Sequence, residues 1–149
     1  MIQAGDRLPD AVVGDRAMSD VIGAEPALLV FFKESCGTCR MALPVFQQWS
    51  SQVRVVGISQ DDAAATAGFF DEYDISMEVV HDAPDFAAST AFDIDAVPAL
   101  FLIEDGEVTR SWLGWNAEKA AELTDHLTAV TGSSGELVGV DALPPFRPG

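Results

Sequence analysis

Two hydrophobic periods alternate along this chain. ALLVFF (27–32) is a short run with no polar member, the pattern of a strand buried on both faces of a parallel sheet. VRVVGIS (53–59), MEVV (77–80) and ALFLI (99–103) predict further strands. EVTRSWL (107–113) follows ALFLI across Glu104-Asp105-Gly106, and Asp-Gly between apolar runs predicts a hairpin. Between these runs the period lengthens. Met41, Val45, Phe46 and Trp49 fall at helical spacing in a segment from Cys36 to about Ser51. Ala65, Phe69, Phe70 and Tyr73 mark a second helix, opened by Asp61-Asp62, where acids suit the N-terminal turn. Pro84–Phe92 reads as a short helix. Leu123, Leu127 and Val130 predict a last one, capped by Asn116.

The order is strand, helix, strand, helix, strand, short helix, hairpin, helix. Alternating early elements imply right-handed parallel crossovers, and the hairpin adds an antiparallel edge. The predicted fold class is α/β: a central mixed β-sheet flanked by helices on both faces. Residues 1–26 carry turn chemistry, with room for one short strand near Ala11–Val13. One domain is expected over 1–131. Residues 132–149, Gly/Ser-rich and then LPPFRPG, are expected to form an extended or flexible C-terminal tail.

Charge narrows the partners. The net charge is −16, and Lys33 and Lys119 are the only lysines. Nucleic acid and anionic membrane surfaces need Lys/Arg clusters, so neither is an expected partner. No apolar run approaches the roughly 18 residues of a membrane span. MIQAGDRLPD lacks the basic and apolar regions of a signal peptide, so a cytoplasmic location is expected.

Only two cysteines occur, Cys36 and Cys39, in LVFFKESCGTCRMALP. Three readings apply: a redox centre, half of a zinc site, or an inert buried pair. Zinc takes about four ligands, and the remaining candidates, His81 and His126, fall on different predicted elements. Buried free cysteines are common. The strand–Cys-x-x-Cys–helix context favours redox chemistry, and no metal is expected. Cys36 would open the helix, where free N–H groups and the dipole favour a thiolate. Cys39, one turn further in, is within disulfide reach. Cys36 is then the attacking sulfur and Cys39 the resolving one. Gly37 allows a substrate close approach. Thr38 keeps an N–H that proline would remove. Lys33 and Arg40 are expected to favour the thiolate, and Glu34 to oppose it.

These residues resemble the thioredoxin-fold family, in particular its redoxin-type, AhpC/TSA-related thiol–disulfide oxidoreductases. CGTCRMALP is similar to the family's Cys-x-x-Cys followed by a helix-kinking proline, here Pro44. FDIDAVPALFLIEDGEV resembles the segment that carries its cis-proline, here Val97-Pro98. GDRLPD, GISQDD and WLGW resemble further redoxin pieces, over roughly residues 5–130. The resemblance implies a thioredoxin-like fold and a substrate peptide laid against Val97 and Pro98. It implies protein disulfide or dithiol substrates, an electron donor, and no cofactor beyond the Cys36–Cys39 disulfide. A monomer is expected. Two positions depart from the pattern: Ser35 stands where many members have Trp, and Val30 where thioredoxin has a buried acid. Thr38 in place of the usual proline implies a more oxidising centre. Asp61 and Asp62 are candidates for the missing proton relay, with N-capping the preferred role.

The enzymatic rival is a thiol peroxidase. Its Pro-x-x-x-Thr-x-x-Cys motif would need Pro and Thr where Leu29 and Lys33 stand. A redox-sensing binding module is the other alternative. His81 reads as a strand-end residue, Phe31, Phe32, Phe69 and Phe70 as core, and Trp112 and Trp115 as packing around Gly114.

Overall fold

A computed structural model describes residues 1–149. The chain opens on a two-residue ladder, β1 (Val12–Val13) antiparallel to β2 (Arg16–Ala17). α1 (Met18–Ile22) follows at once and buries Met18, Val21 and Ile22. No hydrophobic periodicity announces it, because so few residues barely span one turn of a 3.6-residue repeat.

β3 (Ala27–Phe32) is the centre of the sheet, and all of its residues are buried, as an unbroken apolar run requires. α2 (Gly37–Phe46) carries it over to β4 (Arg54–Ser59), and α3 (Ala63–Tyr73) carries β4 over to β5 (Glu78–His81). The β3–β4 and β4–β5 pairs are parallel. α4 (Ala87–Ala91) leads to β6 (Ala99–Glu104) and β7 (Glu107–Leu113), a hairpin whose first strand lies antiparallel to β3. Asp105 (φ 52°) and Gly106 (φ 75°) both take the left-handed conformation that a tight hairpin turn needs. The sheet order is β5-β4-β3-β6-β7. This is the mixed α/β sheet read from the sequence.

Successive side chains of β3 serve opposite faces. Phe32 packs on Phe69 and Phe70 of α3. Phe31 packs on Phe92, just after α4, and on Phe101 of β6. Each fully buried Phe or Leu stabilises the fold by about 1.5–3 kcal/mol, so this strand is a main anchor of the core.

The predicted helix from Cys36 to Ser51 divides. α2 ends at Phe46 and a 3-10 turn runs over Gln47–Ser51. Pro44 lies inside α2 and has no N–H for the carbonyl of Arg40. β8 (Trp115–Asn116) precedes α5 (Ala117–Thr131), and the Asn116 side chain accepts from the Lys119 N–H at 3.0 Å. α5 buries Leu123 and Leu127, while Val130 is exposed. Trp49 Nε1 donates to Thr124 Oγ1 at 2.9 Å, which ties α5 to the turn after α2.

Beyond Gly132 the chain runs back along the domain. The Gln48 side chain bonds both the N–H and the carbonyl of Val138, each at 2.8 Å. Trp115 Nε1 donates to the Pro144 carbonyl at 2.7 Å, and the Ala117 N–H to that of Pro145 at 2.9 Å. β9 (Phe146–Arg147) then pairs antiparallel with β8. Apart from one 3-10 turn at Val140–Ala142 this segment has no helix, and these bonds seat it on the surface of the domain. No helix is long and apolar enough to cross a membrane.

Candidate active site

The site forms where β3 ends and α2 begins. Cys36 is the N-cap of α2, with extended backbone (φ −86°, ψ 113°). Its sulfur accepts the Cys39 N–H at 3.1 Å, in the position where a Ser or Asp oxygen usually caps a helix. Cys36 keeps 8% of its surface exposed and Cys39 none. Both cysteines are free thiols in this structure.

Their environments drive the two thiols apart. The side-chain hydrogen bond with Cys39 is the largest influence on Cys36. The N–H groups of Cys39 and Thr38 and the charge of Lys33 act in the same sense. Burial opposes them, and the thiol falls from its ordinary 9.0 to about 6. For Cys39, burial comes first and pushes the thiol up, and the neighbouring Cys36 sulfur adds to it. Near neutral pH the pair is therefore a thiolate beside a thiol. When protonated, Cys36 donates to the Val97 carbonyl at 3.3 Å, a contact only the neutral form can make.

Val97 and Pro98, far along the chain, reach the sulfurs because β6 runs beside β3. Their peptide bond is cis. The Pro98 carbonyl accepts from the Gly114 N–H at 2.7 Å, which fixes the end of β7 against the same place. Gly37, Thr38 and Lys33 line the cavity beside Cys36.

Arg40 Nε donates to the Glu34 carbonyl at 2.7 Å and holds the loop ahead of Cys36, while the charge that acts on the sulfur is that of Lys33. The place of Arg40 on the outer side of the first helical turn decides this bond, since Arg40 is exposed and Cys39 is inward. Asp61 and Asp62 divide their roles. Asp62 caps α3 through the Ala65 N–H at 2.8 Å. The Asp61 carboxylate accepts the Glu34 N–H at 2.7 Å and supports the cysteine loop. In the sequence nothing sets Asp61 apart from its neighbour Asp62, so that contact leaves no sign there. His81 ends β5 with Nδ1 at 3.2 Å from the Asp61 carbonyl, and His126 sits by Glu104. Neither approaches the cysteines' bonding partners. Trp115 is fully buried, and Trp112 is buried with its ring nearly perpendicular to that of Trp49.

The model of the AhpC/TSA family matches residues 5–111, most of the domain just described. The chain belongs to the AhpC/TSA family. Solved structures place this AhpC/TSA chain among thioredoxin-like folds. The thiol:disulfide interchange protein assigned as DsbE from Chlorobium tepidum is 21% identical, with a TM-score of 0.72 over 89% of this chain and 100% of that one. The dsbF protein of Mycobacterium tuberculosis (MTB), seen in mixed oxidised and reduced forms, is 26% identical, with a TM-score of 0.66 over 83% and 96%. A secreted Mycobacterium tuberculosis disulfide oxidoreductase homologous to Escherichia coli DsbE is 21% identical, with a TM-score of 0.62 over 82% and 96%. Among curated proteins none matches the chain. The fold is thus that of redoxin-type thiol–disulfide oxidoreductases, and Cys36 and Cys39 stand together at the head of α2.

Proposed function

We propose that this chain is a thiol–disulfide oxidoreductase that exchanges disulfides with protein substrates through Cys36 and Cys39. The observation that carries it is the unequal pair: a capping sulfur lowered to about 6 and a fully buried thiol one helical turn away. The Cys36 thiolate attacks one sulfur of a substrate disulfide. That S–S bond breaks, a mixed disulfide forms, and a substrate thiolate leaves. Cys39 then attacks the Cys36 sulfur as its proton passes to the departing substrate sulfur. A second substrate thiol is released, and Cys36–Cys39 becomes the disulfide. Two electrons have moved from the protein to the substrate. Run backwards, the same steps oxidise a substrate dithiol. Val97, Pro98, Gly37 and Thr38 form the wall along which the substrate lies. The proposal includes an external thiol donor for turnover, a monomeric protein, a cytoplasmic location, and no cofactor beyond the cysteine disulfide.

Peroxide reduction is the less supported chemistry. Leu29 is a fully buried β3 residue and Lys33 offers a charge in place of a hydroxyl, so the peroxidase motif has no counterpart before Cys36. The deciding experiment measures insulin disulfide reduction and peroxide consumption side by side for wild type, Cys36→Ser and Cys39→Ser. Insulin reduction that disappears in Cys36→Ser supports the proposal. Insulin reduction that survives Cys36→Ser, or peroxide turnover that outpaces it, contradicts it.

A further inference from the structure

The chain after α5 ends in the groove that a substrate has to use. Thr38, nearly buried, donates its hydroxyl to the Pro148 carbonyl at 2.6 Å. The Arg147 guanidinium lies over Gly37, so close that a Cβ there would stand 2.8 Å from it. Gly114 (φ 76°) is approached as tightly: a Cβ would stand 2.5 Å from the Arg147 carbonyl and 3.1 Å from Pro148 Cα. Gly149 rests against the Val97 carbonyl with no room for a side chain. A cavity of about 450 Å³ beside the Cys36 sulfur has Lys33 and Asp95 among its lining and Arg147, Pro148 and Gly149 as a wall. The attacking sulfur is correspondingly left with 8% exposure.

The cavity beside Cys36, through which a disulfide would approach, is narrowed by this segment. Its anchorage is also light. β9 is a two-residue strand on a two-residue partner, and Phe146 stays 56% exposed. Segments held by few buried contacts open locally at far less cost than global unfolding. We propose that Arg147–Gly149 is a built-in occupant of the substrate groove, and that a disulfide substrate reaches Cys36 by displacing it. Thr38 is the latch, because its hydroxyl is bonded to the occupant while the occupant is seated. The inference rests on the disulfide-exchange reading of the site. If the segment is seated in about nine molecules of ten, the apparent affinity for substrate falls about tenfold.

The test is the alkylation rate of Cys36 by iodoacetamide in the reduced protein, followed by mass spectrometry, with the melting temperature recorded for each variant. Full-length Gly149→Leu has no room for its side chain in the seated position, and deletion of 146–149 removes the occupant. A rate at least threefold above wild type in both variants is expected. The synthetic peptide LPPFRPG should slow alkylation of the deletion variant back toward wild type. Rates equal to wild type in both variants, at unchanged melting temperature, would overturn the inference. Should the deletion unfold the domain, Gly149→Leu decides alone. Insulin reduction by the same proteins keeps the two readings apart. Exchange at the wild-type rate with unchanged alkylation discards the occupant and leaves the function standing. Faster alkylation without disulfide exchange in any protein, wild type included, retains the occupant and discards the function.

Discussion

The Cys39 N–H points at the Cys36 sulfur from 3.1 Å, so one contact both starts α2 and holds a negative sulfur. A helix N-terminus has free donors and the positive end of its dipole. With sulfur as the cap, stability of the helix start and reactivity of the thiol are coupled through that contact.

The first consequence is a pH profile. Alkylation of Cys36 should rise through a midpoint near pH 6, well below the ordinary thiol value of 9.0. Below that midpoint the sulfur is protonated and bonds the Val97 carbonyl. The linkage has a definite sign. A depressed folded-state value stabilises the reduced protein above the unfolded value, and that stability is lost as pH falls through about 6. Urea melts of the reduced wild type should therefore gain on those of Cys36→Ser between pH 6 and pH 9. A midpoint near 9 would contradict the site geometry.

Asp61 should behave as a positioning residue. Asp61→Ala removes the acceptor for the Glu34 N–H, a loss of about 1 kcal/mol, and frees the loop ahead of Cys36. The rate of disulfide exchange should fall. Asp61→Asn keeps an oxygen in place and should restore most of it. Stopped-flow exchange with a dithiol–disulfide peptide pair reads both variants.

Asp82 should carry stability without touching the chemistry. It is buried, with 3% of its surface exposed, and its carboxylate accepts the N–H groups of Ala88 and Ser89 and the Ser89 hydroxyl. Asp82→Ala leaves three donors at the start of α4 without a partner, at a cost of order 3 kcal/mol. Denaturant unfolding should show that loss, with the pH midpoint of Cys36 unchanged.

The sheet was legible because ALLVFF and ALFLI are unbroken apolar runs, as burial on both faces requires, and VRVVGIS keeps Val53, Val55, Val56 and Ile58 around Arg54 and Gly57. The hairpin was legible because Asp105 and Gly106 are residues that tolerate positive φ. Asp62 and Asn116 were readable as caps, since their oxygens act within three residues. α1 was not, because its few residues show no period. The seat of residues 146–149 was not either. It depends on a hydroxyl at Thr38 and on close approaches at Gly37 and Gly114, all from distant parts of the chain. For Arg40, charge and sequence neighbourhood suggested the sulfur. Its position on the outer side of the first turn gave it the Glu34 carbonyl.

The most direct test of the proposed chemistry is to trap its intermediate. Reduced Cys39→Ser is mixed with a disulfide-bonded protein such as insulin, quenched in acid, and digested for mass spectrometry. The expected result is a mixed disulfide on the peptide that carries Cys36, absent from Cys36→Ser. No adduct on Cys36, with insulin still reduced by the wild type, would contradict attack by that sulfur.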